Sequence, residues 1–559
     1  MAKSNNLYYY CALACIACAG IPKGQADLGH CFAYPAGSLT IAGYDEGGFS
    51  ASTGLASFKQ DFNLVKANWK NNPAGLANRQ ANISSFGVLG AAFGSLIALL
   101  LNDRIGRLRT YQLAICIWAT GILMQIFSSG IFGLMLFARI WGGLGAGGLT
   151  VTAYVPQQLC SQLRVLTVVF SSPLFLSEIA PAKNRGFVVS MYMVVLLSFL
   201  SLGFFINYAA NKHMVSSPTQ YRLVQAIPLL PVGIAFICSF FLTDTPRYLA
   251  SQDRFEEALA ALARLRGSNS ADPAVAEEFA QIEAQRRSKA ADLANVGILT
   301  VFREILTVPT YRKRFALVML MQTIAQWTGG NGITYYIPQI FEYAGVTGQS
   351  TSLLSSGLYG IVKLVFTMVF AWGLIDVIGR RRCVLTGLGL QLAAHVYMAC
   401  YMSQDGAAGN GAASDAAIAS IFVYAVGWSI GLCTVQYLYG TEVFPTRIRS
   451  VSYATSMALH WLFQFAVVRV TPVMFVSLNI WGAYVFWAMV CVTGFIYLGL
   501  AAPETKGIPM ERMGELFEGP WYASWKAKLS TEIPARLCDP DMTWEEKATA
   551  MAYIEKLSG

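Results

Sequence analysis

Ionisable side chains stand inside long apolar runs of this chain. Lys363 lies in GLYGIVKLVF and Arg469 in AVVRVTPV. Asp45 and Glu46 follow LTIAGY, and Arg139 sits in LMLFARIWGG. A cation at bilayer depth costs about 3 kcal/mol or more unless it meets water or a partner. Lys363 is therefore either a snorkelling or ion-paired structural residue, or a cavity group able to hold a carboxylate. Gln326 and Asn331 occupy the run IAQWTGGNGITYY. Their amides donate to and accept from hydroxyl groups, and polar groups at that depth need partners. Tyr335 and Tyr336 follow, and packing accounts for them as readily as ligand contact.

A second set of charges recurs at fixed spacing. Asp103-Arg-Ile-Gly-Arg107 is matched by Asp376-Val-Ile-Gly-Arg380, and Glu178-x-x-Pro181-x-x-x-Arg185 by Glu442-x-x-Pro445-x-x-x-Arg449. Arginine can bridge two carboxylates or the carbonyls at a helix C-terminus. Such pairs can close one face of a protein in one state and part in another. Permanent pairing would leave the same trace. No nucleophile–base set or metal-ligand cluster is present in the sequence, so an enzyme is not expected, nor a cofactor or metal. The 12 cysteines are scattered without metal-ligand spacing and read as small packing residues.

The elements that must position these residues are membrane helices. The chain has 559 residues, 55% hydrophobic and only 13% charged, with a mean hydropathy of +0.48. A soluble core cannot hide that much apolar surface. The net charge of +9 is too dilute to suggest nucleic acid. A span needs about 20 apolar residues. Eleven runs qualify: 83–101, 111–127, 131–152, 187–208, 224–242, 315–341, 353–376, 384–402, 416–439, 451–476 and 481–501. An interrupted stretch between Leu7 and Leu55 supplies the first helix. The polar interval 243–314 holds a surface helix, FEEALAALARLR, with Asp253 expected as N-cap and Glu256 at N3. No cleavable signal peptide is expected.

Lysine and arginine gather in the connections after even-numbered spans, which places those connections and both termini in the cytoplasm. Lys66, Lys70 and Arg79 are the exception, falling on the outside. The repeated motifs lie after spans 2 and 8 and after spans 4 and 10. They imply an all-α membrane protein of twelve helices in two pseudo-symmetric six-helix halves around a central cavity. Residues 1–242 form the N-terminal half, 243–314 the cytoplasmic loop between halves, 315–502 the C-terminal half and 503–559 a cytoplasmic tail.

The sequence resembles the sugar porter family of the major facilitator superfamily over nearly its whole length. The resemblance rests on Gly43-Tyr44-Asp45, the DRIGR and DVIGRR loops, SEIAPAKNRG at 177–186, DTPRYL at 244–249, QWTGGNGITYY at 326–336, TEVFPTRIR at 441–449 and PETKG at 503–507. It implies a monomeric plasma-membrane protein that moves a monosaccharide, polyol or related acid by alternating access. It also implies that Asp45 lies near Arg139 and couples transport to a proton, with Glu46 able to share the role. A permanent Asp45–Arg139 bridge in a uniporter is the alternative. Arg107, Glu178, Arg185, Arg380, Glu442 and Arg449 become the cytoplasmic gate.

The family's sugar contacts carry over to Gln326, Asn331, Tyr335, Tyr437, His460 and Trp461, but several have changed. Ala325 and Met193 stand where sugar-binding members carry glutamine. Tyr437 replaces tryptophan, and His460-Trp461 replaces Asn-Trp. Lys363 stands where those members commonly carry asparagine. YGIVK with Arg469-x-Thr-Pro resembles fungal transporters of quinate and galacturonate, so a sugar-like acid is the expected substrate. A facilitative hexose uniporter and a non-transporting nutrient sensor are the competing functions. Sensors usually have a long signalling tail, and only about fifty residues follow Gly507.

Two segments do not belong. GIPKGQADLGHCFAYPA at 20–36 and YVPQQLCSQLRVLTVVFSS at 154–172 place polar residues and proline where the bilayer demands continuous helix. Removing both restores the family pattern without a gap. Their borders permit GT donor and AG acceptor codons in frame, and both are read as translated introns.

Overall fold

The computed structural model describes residues 41–152, 185–240, 249–266 except 251, 298–404, 411–526 except 507 and 509, and single positions between 275 and 283. Segments 20–36 and 154–172 lie outside the described residues. Glu178 and the side chains of Arg107 and Arg185 also lie outside them.

The described residues form helices and no strand. Helix α1 is described over 41–52. It is followed by α2 (Pro73–Ile105), α3 (Arg107–Ile126), α4 (Phe132–Thr152), α5 (Arg185–His213) and α6 (Pro218–Ala226 and Leu229–Ser239). The second half holds α7 (Pro309–Trp327, Gly330–Tyr335 and Ile337–Tyr343), α8 (Gln349–Val369, running on through Phe370–Leu374 and Ile375–Val377), α9 (Arg380–Ser403), α10 (Gly411–Ile430 and Leu432–Glu442), α11 (Thr446–Ser477) and α12 (Asn479–Ala501). Among the described residues nine helices are long and apolar enough to cross a membrane. The remaining three of the twelve are α1, α3 and the interrupted α7.

The helices outrun the apolar stretches that announce them. Helix α2 begins ten residues before Ile83, at Pro73, where Asn72 caps it by accepting from Gly75 N at 2.8 Å. The surface helix in the loop between halves corrects an expectation. It spans Phe255–Arg266, so Asp253 stands one residue ahead of the cap. Asp253 has φ 60°, a left-handed turn that aspartate tolerates. The turn closes through Arg254 N to Leu249 O, and the first helical turn carries an Arg254–Glu257 pair instead.

The run 315–341, read as one helix, is broken. Gly329 adopts φ 94°, a left-handed conformation that glycine accepts without a β-carbon clash. Breaking a helix at this depth frees backbone groups that need partners. The Thr328 carbonyl accepts from His395 Nε2 at 3.0 Å and from the Tyr424 hydroxyl at 3.4 Å.

Within the first half, α2 packs along α4 and α3 along α4; within the second, α9 packs along α10 and α12. The halves meet through α2 against α11 and α5 against α8. Those two pairs exchange under the internal repeat, as two related halves require. The two kinds of seam differ. Between α2 and α4 the backbones touch: a β-carbon at Gly90, Gly94, Gly143 or Gly147 would overlap a carbonyl oxygen of the other helix. Between the halves, a β-carbon at Gly357 would meet the Phe205 ring at 3.0 Å, and one at Gly360 the Ser201 Oγ at 2.8 Å. That second contact brings the Phe205 ring and the side chain and Cα of Ser201 against the glycines, without overlap of a carbonyl oxygen.

Candidate functional site

A cavity of about 80 Å³ lies between the halves. Its first-half wall includes Asp45 and Glu46 of α1, Arg139 of α4, and Tyr192 and Met193 of α5. Its second-half wall includes Asn331, Tyr335, Lys363, Trp428, Tyr437, His460 and Trp461. The sequence-nominated groups thus converge from six helices.

Asp45 opens a π-helical turn, Asp45–Phe49. Such turns re-aim side chains and recur at functional sites. Arg139 reaches it with both terminal nitrogens, NH1 to Oδ1 at 2.6 Å and NH2 to Oδ2 at 3.2 Å. The guanidinium lies 3.7 Å from the Phe49 ring centroid. Room for it comes from Gly87, where a β-carbon would sit 2.5 Å from NH2. The pair is asymmetric: Arg139 is 2% exposed and Asp45 26%. The carboxylate therefore keeps a route to the cavity while its partner stays fixed in the protein.

The second-half wall is organised by His460 of α11. Its Nδ1 is 3.0 Å from Gln322 Oε1, and its Nε2 is 3.3 Å from the Tyr437 hydroxyl. Gln326 Nε2 stands 3.2 Å from Nδ1 and 3.5 Å from Nε2, so Nδ1 meets both an amide oxygen and an amide N–H, and the direction of each bond follows the ring's tautomer. Asn331 donates to Gln326 Oε1 at 3.3 Å, and Gln322 donates to Ser456 Oγ at 3.3 Å. Four nominated residues, Gln326, Asn331, Tyr437 and His460, thus share one network. Gln326 is fully buried behind it and does not reach the cavity wall. Trp461 packs edge-on to His460 with 5.7 Å between centroids. Tyr336 donates to the Val468 carbonyl at 3.1 Å and packs beside Tyr335.

Lys363 is 1% exposed. Its ammonium donates to Thr334 Oγ1 at 3.2 Å and lies 5.5 Å and 5.9 Å from the Tyr359 and Trp428 ring centroids. The Thr334 hydroxyl proton is already given to Gly330 O at 3.0 Å, so its oxygen is free to accept. Among the described residues no carboxylate comes within ion-pairing distance of Lys363. Arg469 is elsewhere: it spans the halves to Asn78 Oδ1 at 3.0 Å.

The nominated gate residues that are described belong to the second half alone. Arg380 at the start of α9 pairs with Glu442 at the end of α10 at 3.5 Å, both 1% exposed. Thr505 donates to Glu442 Oε2 at 3.0 Å, and Arg449 Nε to Phe444 O at 3.0 Å. Glu504 accepts from the backbone N–H groups of Arg380 and Arg381 at 2.9 Å and 3.2 Å, where a carboxylate meets the positive end of α9.

Sequence reasoning missed Gln322, Gln436 and Gln464. Gln436 and Gln464 line the cavity, and Gln322 holds His460. The signal was there: Gln322 precedes Gln326 by four residues and Gln464 follows His460 by four, which puts each pair on one helix face.

Two related six-helix halves around a central cavity with ionisable groups on its wall are the architecture of a transporter of the major facilitator fold. The sequence profile of the family described as "Sugar (and other) transporter" matches residues 31–157 and 166–517. The chain belongs to that family and is a multi-pass membrane transporter, not an enzyme. The unmatched interval between the two stretches falls inside 154–172. In sequence the chain is similar to a quinate permease of Neurospora terricola, 28% identical over 506 residues, covering 87% of this chain and 88% of the relative. It is likewise similar to a probable quinate permease of Aspergillus clavatus, 29% identical over 489 residues, covering 86% and 85%. In structure it is similar to a proton:xylose symporter bound to 6-bromo-6-deoxy-D-glucose, with TM-score 0.65, 19% identity, and 88% and 99% of the two chains covered. It also matches the E. coli xylose transporter in a partially occluded inward-open conformation, with TM-score 0.64, 18% identity, and 86% and 98% covered. These likenesses carry the fold.

Proposed function

We propose that the protein takes up a sugar-like carboxylate of the quinate or galacturonate type, together with a proton, by alternating access. The observation that carries this reading is Lys363: a buried cation on the wall of the central cavity with a hydroxyl for a neighbour and no paired carboxylate. A ligand carboxylate supplies the missing counter-charge, and the hydroxyls of the same ligand meet the amide, imidazole and phenol groups around His460. Similarity to quinate permeases supports the same substrate class.

The proton is carried at Asp45. In this state the carboxylate pairs bidentately with Arg139; a carboxylate that loses such a partner and its water takes up a proton more readily, so a rearrangement that parts the contact couples to a proton. Coupling then follows from geometry alone. In this reading the protein acts as a monomer in the plasma membrane with both termini in the cytoplasm. The halves are residues 1–242 and 315–502, joined by the loop 243–314, and 503–559 form the tail. The gate is Arg107, Glu178 and Arg185 in one half and Arg380, Glu442 and Arg449 in the other.

Uptake of labelled quinate, galacturonate and hexose by cells producing the chain tests the reading, with and without a protonophore. Acid accumulation abolished by the protonophore is expected. Hexose equilibration indifferent to it would establish the uniporter, in which the Asp45–Arg139 pair never opens. Binding without transport would establish the sensor.

A further inference from the structure

A second cavity, of about 370 Å³ against 80 Å³ for the central one, lies at the end of the molecule that carries the α1–α2 connection. Tyr335 lines both cavities and stands as the partition between them. Three charged residues line the larger one: Lys59 on the short helix Ala56–Asp61, Lys66 on the turn Lys66–Trp69, and Glu342 on α7. The lysines belong to the first half and Glu342 to the second. Lys66 Nζ is 3.9 Å from Glu342 Oε2, with Lys66 70% and Glu342 38% exposed. Lys59 is half-buried and makes no hydrogen bond or ion pair among the described residues. Burial pulls its ammonium below the usual lysine range, Glu342 pulls it back up, and Lys66 pushes it down again. One carboxylate thus serves two ammonium groups across the line where the halves meet, and the cavity keeps an uncompensated positive charge. Gln349 of α8 donates to Gly54 O at 3.1 Å over the same line.

Lys66 is also one of the three cations, with Lys70 and Arg79, that depart from the charge rule. Cations on an outer connection run against the usual bias. Arg79 has structural work of its own, donating to Phe62 O at 3.0 Å and lying 4.1 Å from the Phe132 ring centroid. Lys66 is held only by the loose contact to Glu342, and Lys59 by nothing within bonding distance.

We infer that this vestibule is an outer docking site for a carboxylate ligand, in which Lys59 and Lys66 take the ligand's carboxylate in exchange for Glu342. A ligand carboxylate that occupies both ammonium groups releases Glu342, and with it the Lys66–Glu342 tie between the halves. Arrival of the acid at the outer face and loosening of that face become one event. A cleft of one sign also raises the local concentration of an oppositely charged solute. The inference rests on the acid-substrate reading but concerns a different pair of lysines, so the two can fail separately.

The test is quinate binding to the full-length protein in detergent, by isothermal titration, together with initial-rate quinate uptake in proteoliposomes. Lys59→Gln with Lys66→Gln removes the outer charge; both side chains reach solvent, so folding should hold. Lys363→Asn removes the central charge and leaves the vestibule intact. The double outer variant should raise KM for quinate by about tenfold at low ionic strength, with kcat within about twofold, and the difference should shrink as salt is added. In the Lys363→Asn background a weak quinate site should persist and should disappear when both outer lysines are also replaced. Glu342→Gln should lower the quinate KM, since the competing internal carboxylate is gone. A quinate KM that is unchanged in the double outer variant overturns the inference, as does residual binding in Lys363→Asn that survives loss of both outer lysines. If Lys363→Asn leaves quinate binding intact while the outer variants abolish it, the central reading falls and the vestibule stands. No quinate binding to the wild-type protein defeats both.

Discussion

Replacing Lys363 by asparagine takes away the unpaired cation of the central cavity. The lysine ammonium carries three N–H donors, and the structure uses one of them, on Thr334 Oγ1. The rings of Tyr359 and Trp428 attend it at distances over 5 Å, where cation–π attraction is modest. Donors are therefore left for a ligand carboxylate. A charge-assisted bond of this kind is worth about 1.5–3 kcal/mol. At about 1.4 kcal/mol per tenfold, affinity for quinate or galacturonate should fall by roughly ten- to a hundredfold. Neutral hexose binding should hold or improve. Folding should survive, because Lys363 is in ion-pair contact with no described carboxylate, Glu46 of the same cavity loses only a longer-range attraction, and the Thr334 hydroxyl keeps its bond to Gly330 O. Removing one member of a true buried ion pair costs about 3–5 kcal/mol, so the melting temperature in detergent separates the two cases. Lys363→Arg should keep part of the acid affinity, limited by the wider planar head. The assay is competition by unlabelled acid and hexose against labelled substrate in proteoliposomes with matched protein. Full acid affinity in the asparagine variant, or a collapse of its melting temperature, would refute the reasoning.

Asp45→Asn should abolish proton-driven accumulation while counterflow exchange continues, since the amide keeps the size but cannot cycle a proton; accumulation against a gradient checks this. Glu442→Gln should remove the buried Arg380–Glu442 ion pair and cost up to about 3–5 kcal/mol, read as lower yield and melting temperature with substrate selectivity unchanged. His460→Ala should strand Gln322 and Tyr437 and weaken binding of acids and neutral sugars alike, at about 1–3 kcal/mol in competition assays. Deleting 20–36 and 154–172 together should raise surface expression over the chain as written, measured by surface labelling, because both place polar residues and proline within apolar sequence; equal expression and uptake by the 559-residue form would count against the intron reading.

The two halves were legible because apolar runs of membrane length and repeated loop motifs are local features. Each needs only neighbours along the chain. The helix ends were less so: the run that marks α2 begins at Ile83, but Asn72-Pro73 starts the helix ten residues earlier, in a stretch no bilayer argument reaches. The break in α7 was written in Thr328-Gly329-Gly330 and overlooked, because hydropathy alone carries straight across it. Individual cavity residues were legible wherever a polar type interrupts an apolar run, as Lys363, Asn331 and His460 do. Their partnerships were not. That Gln322 of α7 should hold His460 of α11, and that Gln326 should sit behind the wall instead of on it, depends on how two helices rotate against each other, which one sequence does not encode in any short window. The gate motifs illustrate the same limit: their spacing shows that two halves are related, yet only the fold shows Arg380 and Glu442 bonded within one half.

Glycine along α2 and α4 brings two backbones into contact, and Gly43 and Gly47 of α1 meet the α5 backbone in the same way. The first half is thereby stiff along those two seams, whereas α1 and α4 meet through the Asp45 and Arg139 side chains, a contact free of that constraint. The looser surface lies between the halves, where an added β-carbon at Gly357 would meet the Phe205 ring and one at Gly360 would meet Ser201, without overlapping a carbonyl oxygen. A small apolar molecule lodged in that crevice would act as a wedge. It would arrest the cycle at the seam between α5 and α8, lowering the maximal rate without competing for the cavity.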